Sequence, residues 1–301
     1  MSTKNSWDVV IVGGSYAGLS AAMALGRSLK KVMVVDGGKP CNATTPHSHN
    51  FLTQDGRTPA EISQNARQQV SLYHTVEMNN DFVTKAERTM EGFLVDLQSG
   101  EQVSSRKLIL ATGIKDSLLD IPGFNECWGI SVIHCPYCHG YEYRGKETAI
   151  LANGEPAMHY AMLLSNLTPK LSILTNGKAD FTHEQLGKLH NHNIVIDESK
   201  LFEIKHDKGY LKGVVTEHAV LKFDALYFRP PFQQHSKIPE QLGCEFNELG
   251  YIKVDAAQKT TVEGVYACGD NSSTMRSVAN AVAAGNLAGA SVNRELAIAD
   301  F

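Results

Sequence analysis

Long apolar runs are missing from this chain. Its apolar runs, such as Val9–Val12 and Leu108–Ala111, are the length of a strand and fall far short of the roughly 18 residues that cross a bilayer. Met1 to Asp8 is polar and lacks the basic-then-apolar order of a secretory leader. A cytoplasmic chain with no membrane segment is therefore expected. An excess of one charge is lacking too. Lys and Arg number 28 against 32 Asp and Glu, a formal charge of −4, which gives no long-range pull toward nucleic acid or an anionic membrane. Cysteine is sparse, 6 in 301 residues, and Cys41, Cys127, Cys244 and Cys268 are scattered. That excludes a disulfide scaffold and suits a reducing compartment. With 43% apolar and 20% charged residues, the chain can build ordinary cores, and its length suggests about two domains.

What is present begins with Asp8–Val12, a strand of buried type, followed by Gly13-Gly-Ser-Tyr-Ala-Gly18, a helix over Leu19–Leu29, and a second strand, Lys31–Asp36. Strand, glycine turn, helix, strand and terminal acid form a dinucleotide fingerprint, with the pyrophosphate at the helix start and the acid on a ribose. Ser15 stands at the middle glycine position and is the smallest replacement that can also donate a hydrogen bond. Asp36 is placed to hold the ribose. Residues 41–56, with His47, His49 and Asn50, read as an ordered loop lying over the cofactor. Pro59–Met78 reads as a helix. Alternating strands then lead into Lys107-Leu-Ile-Leu-Ala-Thr-Gly113, a buried strand ending in a tight turn.

The plan then repeats. Glu147–Leu151 is a strand, Ala152-Asn-Gly-Glu-Pro-Ala157 a glycine turn, Met158–Asn166 a helix and Leu171–Thr175 a strand. The interval from Gly13 to Asp36, 23 positions, recurs from Ala152 to Thr175. In this copy Gly13, Ser15 and Gly18 become Ala152, Gly154 and Ala157, and the ribose carboxylate becomes Thr175. Asn176-Gly177-Lys178 follows with one Lys and no Arg, a poor set for the 2′-phosphate of NADP, which Arg holds through bidentate bonds. The second site, Gly154, Glu155, Ala157 and Asn176, is weak beside the first. The expected fold class is α/β: two Rossmann-like three-layer nucleotide-binding domains, the second inserted into the first. The first domain is 1–115 with 245–301, and the second is 116–244.

Between the copies lies Ile133-His-Cys-Pro-Tyr-Cys-His-Gly140. Two thiols at Cys-x-x-Cys spacing open and close a disulfide with little backbone movement, and a helix start or a nearby His lowers a thiol's pKa. Half of a zinc site is the alternative, since His134 and His139 flank the pair. Structural zinc usually takes two close pairs, however, and no second pair follows. Structural cysteines remain a third reading. Further on, Thr261–Asp270 is a short strand ending in Gly269-Asp270, suited to a ribityl chain or its phosphate. The small-residue helix Val278–Leu296, with Gly285 and Gly289, can lie against a flat ring or another helix.

The Gly13–Gly18 turn, Ala111-Thr112-Gly113, Cys135-x-x-Cys138, the 152–157 turn and Gly264–Asp270 together resemble the low-molecular-weight thioredoxin reductase family of flavoprotein disulfide oxidoreductases, over nearly the whole chain. The resemblance implies a homodimer with non-covalent FAD on Gly13, Gly14, Ser15, Ala17, Gly18, Asp36, Asn50, Ala111, Thr112, Gly113, Gly269, Asp270 and Ala279. It implies that Cys138 lies against the flavin, that Cys135 attacks the substrate disulfide, and that NAD(P)H binds the second domain. No metal is expected.

Four departures stand out. His139 replaces the family's Asp after the second Cys. Ala152 and Thr175-Asn176-Gly177 replace a Gly and a His-Arg-Arg cluster. Val278-Ala279-Asn280 replaces Arg-Gln-Ala, and Phe228–Pro231 replaces a glycine-containing turn. Cys135–Glu142 and His49–Gly56 look closer to a side branch containing dithiol oxidases that form disulfides in epidithio and dithiolopyrrolone natural products. Three functions follow: reduction of a thioredoxin-like protein or small-molecule disulfide, with His139 moving the proton; oxidation of a dithiol with oxygen as acceptor; or redox sensing by a flavin-containing protein.

Overall fold

The computed structural model describes residues 6–301. The first five residues of the polar N-terminal stretch lie outside them. Two compact units emerge: one comprises the chain up to Ala43, Ala60–Lys115 and Phe232–Phe301, and the other Thr44–Pro59 with Asp116–Pro231.

In the first unit a seven-stranded sheet runs in the order Val76–Asn79, Val32–Val35, Ser6–Val12, Gln102–Leu110, Gly92–Leu97, Val83–Thr89. The first four strands are parallel, and the last two add an antiparallel meander. Gln102–Leu110 is long enough to pair with the meander through its first half and with Val265–Ala267 through its second. Alternation along the first strand builds the layers, because successive side chains face opposite sides. Val9 and Ile11 join the core under Tyr16–Arg27 and Val278–Asp300. Val10 and Val12 join a second core with Phe93, Ile238, Cys244 and Ile252. That second core ties residues 232–244 to this unit, whereas the sequence reading assigns them to the other domain.

The second unit repeats the design. Its parallel sheet runs Val195–Asp197, Leu171–Leu174, Thr148–Leu151, Ala225–Tyr227, Val132–Ile133. Ile150 and Ile173 face the Gly154–Leu164 and His183–Asn191 helices, while Ala149, Leu151 and Leu174 face a small antiparallel sheet, Leu201–Asp207 with Tyr210–Thr216.

Two local readings change. The helix expected over Pro59–Met78 stops at Val70, and Val76–Asn79 is a parallel strand. Its half-buried β-branched start and its register against Val32–Val35 override the helical pattern. The helix of the repeat starts at Gly154, inside the glycine turn. Gly285 and Gly289 lie against another helix, one of the two expectations for this segment, since a Cβ on either would strike the Ala17 or Ala21 carbonyl. No helix among the described residues is long and apolar enough to cross a membrane.

Candidate active site

In the first unit, strand, turn and helix converge on residues 13–18. Gly13 has φ +104, and its backbone lies so close to the Ala111 carbonyl that a Cβ would collide with it. A Cβ on Gly14 would meet Asp36, and one on Gly18 would strike the Gly13 carbonyl. Ser15 is the helix N-cap in extended conformation, but its side chain caps nothing and the first turn carries no acid. The N-cap side chain thus takes none of the opening N–H groups of this twelve-residue helix. Asp36 pairs through Oδ2 with Arg67, which also donates to the Gly14 carbonyl at 3.2 Å. Ala111 is hydrogen-bonded to Val12, and Thr112 and Gly113 (φ +65) follow it.

Gly269 (φ +92) sits against Ala17, and the Asp270 carboxylate lies 3.8 Å from the Cys41 thiol and 3.7 Å from the Arg276 guanidinium. Asn271, fully buried, donates to the Leu110 carbonyl at 2.8 Å and to the Thr112 hydroxyl at 3.2 Å. This bond locks the 269–272 segment to the end of the long strand. Ala279 stands half-buried at the start of the last helix. Asn50, by contrast, is exposed in the second unit, with its N–H on Asp55 Oδ1 at 2.7 Å. Sequence reasoning missed Arg67, which carries no local signal, and Asn271, which is adjacent to a residue it did select.

The cysteine pair belongs to the second unit. Val132–Ile133 pairs with Ala225–Tyr227 and delivers Cys135 past the carboxyl end of the parallel sheet, where ligands of such sheets bind. Cys135 and Cys138 form a disulfide with Cα atoms 5.3 Å apart, inside the usual span. Cys135 is the N-cap of Pro136–His139, and its sulfur accepts the Cys138 N–H at 3.1 Å. Pro136 at the first helical position fixes φ without losing a needed donor. The Tyr160 hydroxyl donates to the His134 carbonyl at 2.7 Å, and the His134 ring stacks on Trp128. Among the described residues no cluster of three His, Cys, Asp or Glu can hold a metal.

His139 differs from its sequence reading. Burial, with the charge of His49 second, pushes it down to about 4. The ring is neutral at physiological pH and can accept a proton there; it has none to spare. The Thr44–Pro59 segment of the same unit contributes to this surface. Ser48 bridges Arg57, and His49 places Nε2 3.6 Å from Glu142 and Nδ1 3.6 Å from Asp55.

The second nucleotide turn differs from the first in what lies on it. Asn153, the N-cap, accepts the Gly154 N–H at 3.0 Å and the Asp180 N–H at 2.8 Å, and donates to the Lys178 carbonyl. Glu155 places a carboxylate in the first helical turn, held by Gln185 at 2.6 Å. Ala157 is buried in the core. After the next strand, the Thr175 hydroxyl donates to the Gly177 carbonyl at 2.5 Å, Asn176 (φ +52) accepts the Leu201 N–H, and Lys200 binds the Asn176 carbonyl at 2.8 Å. A neighbouring cavity of about 580 Å³ is lined by Ala179, Phe181, Leu186, Ile196, Asp197 and Glu198, two carboxylates and no cation. Asn153 was legible as an N-cap, a signal the sequence reading passed over.

An uncapped dinucleotide turn in one Rossmann unit and a Cys-x-x-Cys disulfide in the other define a flavin-linked disulfide oxidoreductase. The chain belongs to the pyridine nucleotide-disulphide oxidoreductase family, which it matches over residues 7–285. It is 32% identical to Thioredoxin reductase tcpT of Claviceps purpurea, over 98% of this chain and 96% of that protein, and 30% identical to Thioredoxin reductase sirT of Leptosphaeria maculans with the same coverage. The crystal structure of the oxidoreductase from Agrobacterium tumefaciens superposes with a TM-score of 0.91 at 36% identity, covering 97% of this chain and 99% of that one. FAD is the cofactor of this enzyme class, with NAD(P)H as the partner nucleotide it can take. The first unit fits FAD: the turn is closed by backbone approaches only glycine permits, the N-cap side chain makes no capping bond to the helix start, and Asp36 stands at the end of the second strand.

Proposed function

We propose that this chain is an FAD-dependent dithiol oxidase: it takes electrons from a substrate dithiol through Cys135–Cys138 and delivers them to oxygen, without drawing on NADPH. One observation carries this reading, the self-closed second nucleotide turn. Where the pyrophosphate would bind the helix start, Asn153 already occupies the Gly154 N–H and Glu155 adds a negative charge. A helix N-terminus attracts anions through its free N–H groups and dipole, and here both are offset by the chain's own residues. Where a 2′-phosphate would need arginines, the turn has only lysines near it, Lys178 and a Lys200 already engaged by the Asn176 carbonyl, beside Asp180, Asp197 and Glu198.

Gly13, Gly14, Ser15, Ala17, Gly18, Asp36, Gly269, Asp270 and Ala279 would hold FAD. When bound, FAD supplies the two-electron acceptor that re-forms the pair's disulfide and the route to oxygen, which is reduced to hydrogen peroxide. The chain's own residues do the thiol chemistry. A substrate thiol gives its proton to neutral His139 and attacks Cys135, so a substrate–Cys135 bond forms while the Cys135–Cys138 bond breaks and Cys138 leaves as thiolate. The substrate's second thiol then gives its proton to the Cys138 thiolate, attacks its own sulfur in the mixed disulfide and releases Cys135, whose negative charge the Cys138 N–H stabilises. Two thiols have become a disulfide, and two electrons have passed to the pair.

The substrate is a dithiol of small-molecule size or a thioredoxin-like protein, and the same reading includes a cytoplasmic homodimer. Anaerobic mixing tests it. Dithiothreitol should bleach the flavin, air should restore it, and NADPH should do nothing in the same time. Rapid bleaching by NADPH would sink the proposal, and bleaching by neither reagent would point to a sensor. Cys138→Ser should keep FAD and lose dithiol bleaching.

A further inference from the structure

The acid that closes the second strand of a dinucleotide fold holds the adenosine ribose, and in this chain that acid does not stand alone. The Asp36 side chain is only 13% exposed, and its Oδ2 is paired with the Arg67 guanidinium. The same Nη2 of Arg67 donates to the Gly14 carbonyl at 3.2 Å, so one nitrogen ties the strand end to the glycine turn. The backbone around the pair is fixed as well. The Asp36 N–H bonds the Asn79 carbonyl at 2.9 Å, and the Gly13 N–H bonds the Val35 carbonyl at 2.8 Å. A Cβ on Gly14 would meet the Asp36 side chain at 2.8 Å.

Arg67 reaches this point from a distance, 31 positions from Asp36 and 53 from Gly14. It lies in the last turn of the Pro59–Val70 helix. Ile62, Ala66 and Val70 recur along that helix at four-residue intervals and pack into the core with Val32 and Val34 of the second strand. The helix is thereby anchored beside the strand that Asp36 closes, and Arg67, next to the buried stripe, spans the gap to the turn.

Two consequences follow for a ligand. A carboxylate next to a pyrophosphate is repelled by it, and a guanidinium on that carboxylate offsets the repulsion. The pairing also fixes the carboxylate's rotation: Oδ2 is turned to Arg67, while Oδ1 has no hydrogen-bond partner among the described residues. We propose that Arg67 is a positioning residue for the adenosine half of FAD, holding Asp36 by one oxygen so that the other is offered to the ribose hydroxyls. The inference rests on the reading that Asp36 holds that ribose. An ion pair that only braced the fold would treat a ribose with hydroxyls and one without them alike; an oriented carboxylate tells them apart.

The test uses the full-length protein, stripped of flavin and titrated by quenching of flavin fluorescence. The two probes are FAD and an FAD whose adenosine ribose lacks its 2′ and 3′ hydroxyls. The wild type should prefer FAD by about tenfold or more, the range of a hydrogen bond to a charged group. Arg67→Met should weaken FAD binding about tenfold or more and shrink the preference to about threefold or less. Arg67→Lys, which keeps the charge without the planar fork, should recover some of the affinity and little of the preference. An Arg67→Met protein that keeps the wild-type preference overturns the inference, whatever its affinity, because a merely structural role weakens both ligands equally. Should Arg67→Met fail to fold, Arg67→Lys decides by the same ratio. A wild type with no preference between the two ligands would instead overturn the reading of Asp36, and the inference with it.

Discussion

Acidification should unfold this protein in part through one side chain. His139 has an ordinary pKa of 6.5, and burial together with His49 lowers it to about 4 in the fold. The unfolded chain therefore binds a proton from about pH 6.5 downward while the folded chain refuses it until about pH 4, so stability is present above pH 6.5 and is lost as pH falls. Each pKa unit corresponds to about 1.4 kcal/mol. The loss is about 1 kcal/mol at pH 5.5 and grows to about 3 kcal/mol near pH 4, a large share of a typical domain's net stability. His139→Gln removes the titration while keeping a similar volume. Paired urea unfolding curves of wild type and variant at pH 7, 5.5 and 4.5 isolate the effect, because every other group titrates in both proteins. The wild type should lose stability relative to the variant as pH falls. A gap between the two proteins that stays constant from pH 7 to 4.5 would refute the burial argument, and with it the assignment of His139 as a proton acceptor.

Two further outcomes follow from the first unit. Gly18→Ala places a Cβ against the Gly13 carbonyl, backbone on which nothing can rotate away. It should open the turn, cost about 2–3 kcal/mol as overpacking does, and lower the flavin-to-protein absorbance ratio of the purified protein. Glu295, on the last helix, is partly buried, which alone would raise its pKa, yet hydrogen bonds from Lys107 at 2.7 Å and from Lys259 hold it down at about 2. Its contribution is present above pH 4.5 and fades toward pH 2. Glu295→Gln should lower stability at pH 7 by about 2 kcal/mol, after discount for its partial exposure, and the two proteins should converge by pH 2. Thermal melts at the two pH values check it.

Much of this chain was legible before folding. Glycine at 13, 14 and 18, the 23-residue interval repeated at 152–175 and a Cys-x-x-Cys pair each report a local requirement: a backbone approach, a repeated strand–turn–helix–strand unit, a one-turn disulfide. Local requirements leave local residues, so the class of fold and the redox pair could be read in order along the chain. Other features came only from tertiary structure, because they join positions far apart in sequence. Val76–Asn79 is a strand only because Val32–Val35 lies beside it. Residues 232–244 belong to the first unit because Ile238 and Cys244 fill a core with Val10 and Val12. The missing arginines pointed to a weak second nucleotide site, whereas the Asn153 and Glu155 contacts at that turn depend on where Asp180 and Gln185 arrive. The type of residue at 139 suggested proton transfer near neutrality. Burial, which no single position encodes, sets the protonation state of that ring.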